Sequence, residues 1–145
     1  KLQRTEHEKP AEQKTDYYKF RFEEWQASIL LKQLRNLNKI IEKRKYIYAF
    51  YDKNINNPLV EKPICNDNAV CTRYAILVNE RKSFYRQCIA KGIDMDFSHC
   101  SIGCPKNDLY AEEHEMANKV LNLPFYYELS DKEMKKVVEV INSIH

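Results

Sequence analysis

Glycine is scarce in this 145-residue chain, with Gly92 and Gly103 the two copies. A phosphate cradle of the GxGxxG or P-loop type needs closely spaced glycines, so neither can be built within these residues. Long apolar runs are also missing, and with them any candidate membrane span. Residues 1–16, KLQRTEHEKPAEQKTD, lack the apolar centre of a signal peptide and read as a charged flexible arm. Neither sign of charge dominates: 24 Lys and Arg stand against 21 Asp and Glu, interspersed along the chain. No basic face is implied, so the reading has no nucleic-acid partner and no membrane partner. Five cysteines is an odd number, and without a leader the expectation is reduced thiols in the cytoplasm. The remaining composition, 43% hydrophobic and 31% charged, is that of a globular chain with one core.

Periodicity supplies the elements. Phe22, Trp25, Ile29, Leu30, Leu34, Leu37, Ile41, Tyr48 and Tyr51 recur at three- and four-residue spacing, which predicts one long amphipathic helix from Phe22 to Tyr51, stopped by Asn54, Asn56, Asn57 and Pro58. Such a helix would run ~45 Å, more than a small domain spans. Trp25 and Ile29 are expected to be buried, and part of the helix to form an interface. Residues 69–78, AVCTRYAILV, alternate as a strand, and Glu80 to Lys91 reads as a helix with Phe84, Cys88 and Ile89 inward and Gly92 at its C′ position. A second strand is expected from Ile93 to Phe97, a helix from Asp108 to about Asn122, and a third extended piece from Phe125 to Leu129. Ser130 and Glu133 form an S-x-x-E capping box for a last helix with Met134, Val137, Val138, Ile141 and Ile144 inward. The fold class is α/β (α+β): a long N-terminal helix leading into a small, largely antiparallel sheet covered by helices.

Chemistry is thin in this order of residues. Cys65, Cys71, Cys100 and Cys104 with His99 invite a metal reading, but five residues between Cys65 and Cys71 exceed the tight spacing of zinc knuckles. Buried or incidental thiols account for them better. A cysteine nucleophile with His99 or His114 lacks an orienting carboxylate, and His114 stands among Glu112, Glu113 and Glu115. The ten tyrosines, Tyr46, Tyr48 and Tyr51 among them, suit a core or interface better than a base-stacking platform. No acid–base pair and no nucleophile with its base emerges, so no catalytic residue and no metal ligand is assigned.

Two longer stretches point further. Residues 17–55, YYKFRFEEWQASILLKQLRNLNKIIEKRKYIYAFYDKNI, carry Arg21, Gln26, Ala27, Ile29, Gln33, Leu34, Leu37, Arg44, Ala49 and Tyr51 in a particular register. Residues 122–141, NLPFYYELSDKEMKKVVEVI, follow with a Leu-Pro pair and the Ser130–Glu133 box, and Arg81, Gly92 and Ile93 lie between. In this register the chain resembles the DegT/DnrJ/StrS family of pyridoxal-phosphate sugar aminotransferases over residues 17–145. The resemblance implies the C-terminal small domain of a fold-type-I homodimer, with a larger aminotransferase domain and a second subunit as partners and a nucleotide sugar as substrate. It implies pyridoxal phosphate as cofactor only together with the larger domain, because the family's Schiff-base lysine, the aspartate facing the pyridine nitrogen and most phosphate ligands belong to segments that cannot be placed here. Lys19 and Arg21 are the positions the resemblance assigns to cofactor contact. Lys19 stands where the family has the asparagine of G-Y-N-x-R, and Tyr17 where it has the glycine, which weakens that contact. Asp96, Phe97, Ser98 and His99 replace the family's histidine–tyrosine pair. The implied function is the C-terminal part of an aminotransferase acting on a nucleotide-linked keto-sugar, not catalytic by itself. The alternatives are a stand-alone non-catalytic binding or regulatory module derived from that fold, and a small Cys/His metal-binding protein.

Overall fold

The computed structural model describes residues 21–66, 69–97, 105 and 107–145. The arm at residues 1–16, together with Tyr17, Tyr18, Lys19, His99, Cys100 and Cys104, lies outside the described residues. The chain divides into two compact units, Lys1–Asn36 and Leu37–His145.

The first unit contains helix α1, Glu24–Arg35. It starts where Glu23 and Gln26 form a reciprocal capping box, the Glu23 amide donating to Gln26 Oε1 at 3.0 Å. It ends at Asn36, whose amide bonds the Gln33 carbonyl at 3.0 Å and whose side chain bonds the Lys32 carbonyl at 3.2 Å. The single helix expected from Phe22 to Tyr51 is therefore two, because Asn36 takes its hydrogen bonds locally instead of continuing the helical ladder. No α1 residue is buried. Trp25 and Ile29, expected inside, are 62% and 56% exposed.

The second unit opens with α2, Leu37–Asn54, which buries Ile47 and Tyr51. Its partners are β1, Tyr74–Leu77, and β2, Val120–Leu123, paired antiparallel with Tyr74 opposite Leu123 and Leu77 opposite Val120. Single bridges extend this sheet on both sides, Glu61 to Leu77 and Asp96 to Asn122. The strand expected over residues 69–78 is thus four residues long, and Tyr74, Ile76 and Val78 point inward as the alternation predicts. The strand expected at Ile93–Phe97 contracts to the bridge at Asp96.

The largest correction falls on the Asp108–Asn122 helix. A 3₁₀ turn at Asp108–Tyr110 leads into α4, Ala111–Lys119, and the chain then turns into β2. Val120–Leu123 pairs with β1, so residues read as the end of a helix are strand, and Phe125–Leu129 is not. Leu121, Asn122 and Leu123 are all buried, which removes the alternation that marks a strand with one wet face.

Two helices match their expected outlines. α3, Arg81–Ala90, buries Phe84 and Cys88, although Ile89 is exposed. Gly92 follows at φ +79°, the left-handed C′ conformation that glycine adopts without steric cost. α5, Asp131–Asn142, starts at the Ser130–Glu133 box and buries Met134, Val137, Val138, Val140 and Ile141, with Ile144 buried just beyond its end.

The end of α5 is held by asparagines that follow α2. Asn57 is 6% exposed and donates from Nδ2 to the carbonyls of Ile141 at 2.6 Å and Ile144 at 2.8 Å, while its Oδ1 accepts from the Leu59 amide at 2.8 Å. Asn142 reciprocates, bonding the Asn54 carbonyl and the Asn56 amide, each at 2.9 Å. Carbonyls that a helix C-terminus leaves unpaired are thereby satisfied inside the core.

These contacts set the expected outcome of two substitutions. Asn57→Ala strands the Ile144 carbonyl and the Leu59 amide and leaves the Ile141 carbonyl with its long 3.4 Å bond from the Ile144 amide, and urea denaturation should show a loss of about 2–3 kcal/mol. Gly92→Ala places a Cβ at positive φ and 3.2 Å from Lys136 Nζ, a flexible tip that can move. Its expected cost is the backbone term alone, about 1–2 kcal/mol.

Candidate functional site

The residues in the family register are mostly framework. Gln26 caps α1. Arg44, on α2, donates to the Thr72 carbonyl at 2.9 Å and lies 5.7 Å from the Phe125 ring centre. Tyr51 is fully buried and donates to the Pro124 carbonyl at 2.9 Å. Arg81 donates to the Ala117 carbonyl near the end of α4 at 2.7 Å and covers the Phe97 ring at 5.1 Å. Gly92 and the Ser130–Glu133 box terminate and start helices. Each arginine or tyrosine here donates to a backbone carbonyl, which fixes distant segments of the chain.

Arg21 differs. It is exposed, lies in extended chain ahead of α1, and has no ion pair among the described residues. The acids close in sequence do not engage it: Glu23 belongs to the capping box and Glu24 to the first helical turn. The guanidinium is therefore open to an anion. The α1 amides are less so, because the capping box already serves the helix start and the Glu23 and Glu24 carboxylates there oppose a further negative charge. An anion at this place would be held by side chains. Lys19, the other assigned position, lies outside the described residues.

Three of the tyrosines join the core, Tyr51 and Tyr74 buried and Tyr48 packed against them. Tyr48, Tyr51 and Tyr74 form a cluster, with Tyr74 centred 5.1 Å from Tyr48 and 5.3 Å from Tyr51. Burial, with Cys65 and Asp52 nearby, pushes the Tyr48 phenol up to about 12. Burial pushes Tyr51 and Tyr74 higher still. Tyr46 instead faces out beneath Lys43, whose Nζ is 5.0 Å from the ring centre.

The cysteines divide. Cys88 is wholly buried on α3. Cys65 and Cys71 are half-buried and line one pocket of about 230 Å³ with Arg44, Lys45, Tyr48 and Ala49. Among the described residues no three His, Cys, Asp or Glu side chains are grouped to hold a metal. His114 is occupied too, its Nε2 hydrogen-bonding the Pro105 carbonyl at 3.1 Å. The spacing in sequence gave no sign that Cys65 and Cys71 would meet, since it was their place on α2's flank that joined them.

Exposed apolar residues form a stripe that begins at Phe22, just ahead of α1, and continues along the helix. Phe22, Trp25 and Ile29, then Leu30 and Leu34, sit at three- and four-residue steps and are 44–73% exposed.

Comparison with known proteins follows the same outline. The DegT/DnrJ/EryC1/StrS aminotransferase family matches residues 2–142. The dTDP-3-amino-3,6-dideoxy-alpha-D-galactopyranose transaminase of Aneurinibacillus thermoaerophilus is 28% identical over 84% of this chain and 36% of its own length. Among solved structures, PseC of Helicobacter pylori, an aminotransferase of pseudoaminic acid biosynthesis, superposes with a TM-score of 0.72 at 19% identity, over 84% of this chain and 37% of its own. The aminotransferase TlmJ of Streptoalloteichus hindustanus does so with a TM-score of 0.70 at 21% identity, over 81% and 35%. The chain thus spans about a third of the length of these relatives. None of the described helices is long and apolar enough to cross a membrane.

The buried phenol and thiol beside α2 carry a pH dependence. Burial raises Tyr48 from 10.0 to about 12, and burial with the Cys65 side chain raises Cys71 from 9.0 to about 11. Both shifts favour the neutral group in the folded state. Their contribution is fully present below the unfolded values and is lost as pH climbs from 9.0 towards about 12, since the unfolded chain releases these protons first. Urea midpoints should be level near neutrality and fall across that window, and Tyr48→Phe should make the part above pH 10.0 shallower, with Tyr51 and Tyr74 supplying the remaining slope. A fall unchanged in the variant would assign it to other groups.

Proposed function

We propose, from the premise that this chain belongs to the DegT/DnrJ/EryC1/StrS aminotransferase family, that it is the C-terminal part of a cytoplasmic pyridoxal-phosphate enzyme that transaminates a nucleotide-linked keto-sugar. The chain is not catalytic by itself. The observation that carries this reading is the family match over nearly the whole chain against about a third of the length of its relatives. The framework roles of Arg44, Tyr51 and Arg81 support it, since they build a domain and leave the chemistry to another.

The partners are then the larger aminotransferase domain and a second subunit. The α1 stripe suits such a contact. An isolated helix of about 12 residues is marginal in water, and α1 spans 12 residues with none buried. Its apolar face must be covered for the helix to persist.

The cofactor phosphate is held by Arg21 and Lys19. The exposed guanidinium, unpaired among the described residues, fits that charge, while the capped α1 start leaves the amides out. Lysine in place of asparagine makes the second contact a point charge without directional fork geometry. Pyridoxal phosphate, when bound, supplies the electron sink for transamination. This chain contributes the cationic grip and the domain that closes over the sugar.

Two measurements test the reading. Borohydride reduction of the isolated chain with pyridoxal phosphate should leave no stoichiometric adduct on any one lysine by peptide mapping; a single such adduct would place the cofactor lysine here and overturn it. Phosphate titration followed by amide chemical shifts should cluster at residues 19–21. A charged hydrogen bond contributes ~1.5–3 kcal/mol, so Lys19→Ala should weaken binding about tenfold or more while stability stays within ~0.5 kcal/mol. Shifts centred elsewhere would remove Lys19 and Arg21 from the site.

A further inference from the structure

The pocket beside α2 brings together two thiols that no part of the proposed transamination uses. Tyr48 donates to the Pro63 carbonyl at 2.8 Å, and Arg44, one turn earlier on the same face of α2, donates to the Thr72 carbonyl at 2.9 Å. These bonds pin the chain just before Cys65 and just after Cys71 to one helix. The two cysteine side chains line the same pocket, with the Cys65 Sγ donating to the Asn66 carbonyl at 3.6 Å. Both are half-buried and reachable, unlike Cys88. Among the described residues no third ligand is grouped beside them. Arg44 and Lys45 complete the lining and present positive charge to an approaching acidic reagent.

We propose that Cys65 and Cys71 are a reversible thiol-modification site, closing to a disulfide by exchange with an acidic low-molecular-weight disulfide such as oxidised glutathione. Cys65 loses its proton to water and its sulfur attacks one sulfur of the reagent RSSR, forming Cys65–S–SR and expelling RS⁻, which is protonated to RSH. Cys71 then gives up its proton, its sulfur attacks Cys65 Sγ, and the second RS⁻ leaves and is protonated. In total two protein thiols are oxidised to one disulfide and one RSSR is reduced to two RSH. Cys71 is the resolving thiol, because burial keeps it protonated at neutral pH. Reversal by excess RSH suits a cytoplasmic switch, where disulfides are transient.

The full 145-residue chain, equilibrated in a buffer of reduced and oxidised glutathione, alkylated and digested with trypsin, decides this. No Lys or Arg separates Cys65 from Cys71, so both fall in one peptide ending at Arg73. That peptide should emerge unalkylated and lighter by two hydrogen atoms, and return to the alkylated form after reduction. Because the folded chain pre-positions the pair, closure should be about tenfold or more favourable than in urea, read from the glutathione ratio at half-closure. In Cys71→Ser the peptide should instead carry glutathione on Cys65. Full alkylation of both thiols, bonds to Cys88, Cys100 or Cys104, or equal closure in urea would each overturn the proposal.

Discussion

The hydrogen bond from the Tyr51 hydroxyl to the Pro124 carbonyl joins residues 73 positions apart, and the second unit depends on it. Tyr51 is fully buried on α2, and Pro124 follows β2 directly. A phenol can enter an apolar core when its hydroxyl finds a partner, and this one does so at the point where the strand must turn away. The ring meanwhile packs edge-on against Tyr74 at the start of β1. One side chain thus ties α2 to both strands. Tyr74 contributes its ring to the cluster, but its own buried hydroxyl has no partner among the described residues, a cost that the surrounding packing must outweigh.

The same logic explains why a family register can be strong where catalytic chemistry is weak. Arg44, Arg81, Asn57 and Tyr51 each carry a side-chain donor to a backbone carbonyl far along the chain. Such bonds need a particular donor at a particular length, so they constrain sequence as tightly as a reaction would. A small sheet of two paired strands with a single bridge on each side has few ladder bonds of its own. It needs these clamps to fix α2, α4 and α5 around it. Arg21 stands outside that framework and has no ion pair among the described residues.

Legibility in the sequence followed the reach of each determining interaction. α3 with Gly92, and α5 with Ser130 and Glu133, were readable because the cap and the stop lie within a few residues of the helix they define. Val120–Leu123 was not readable. No glycine or proline precedes it, its residues are buried on both faces, and its strand character comes from pairing with Tyr74–Leu77, more than forty residues away. The break at Asn36 was present in the sequence as an asparagine, but apolar spacing runs straight across it, so periodicity concealed what local hydrogen bonding decided. Of the candidate sites, Lys19 and Arg21 were legible through family register alone. The meeting of Cys65 with Cys71 was hidden, because their spacing was judged against zinc templates while the determinant was the pair of α2 bonds to Pro63 and Thr72.

α1 is where local and tertiary information part company. Its capping box and its Asn36 terminator both specify a helix from within. Those terms contribute about 1 kcal/mol each at most, against a nucleation cost that short helices barely recover. Covering Phe22, Trp25, Ile29, Leu30 and Leu34 would add far more, since each large apolar side chain gains about 1.5–3 kcal/mol on full burial. A helix whose local signals are complete and whose apolar stripe is open is one whose stability is supplied by contact. The stripe also lies immediately after Arg21 in the chain, so whatever covers α1 is brought towards the same guanidinium. Under the proposed function, anion binding and helix order are linked: a partner that buries the stripe orders the segment that presents Arg21, and an anion on Arg21 favours the state in which that segment is already held.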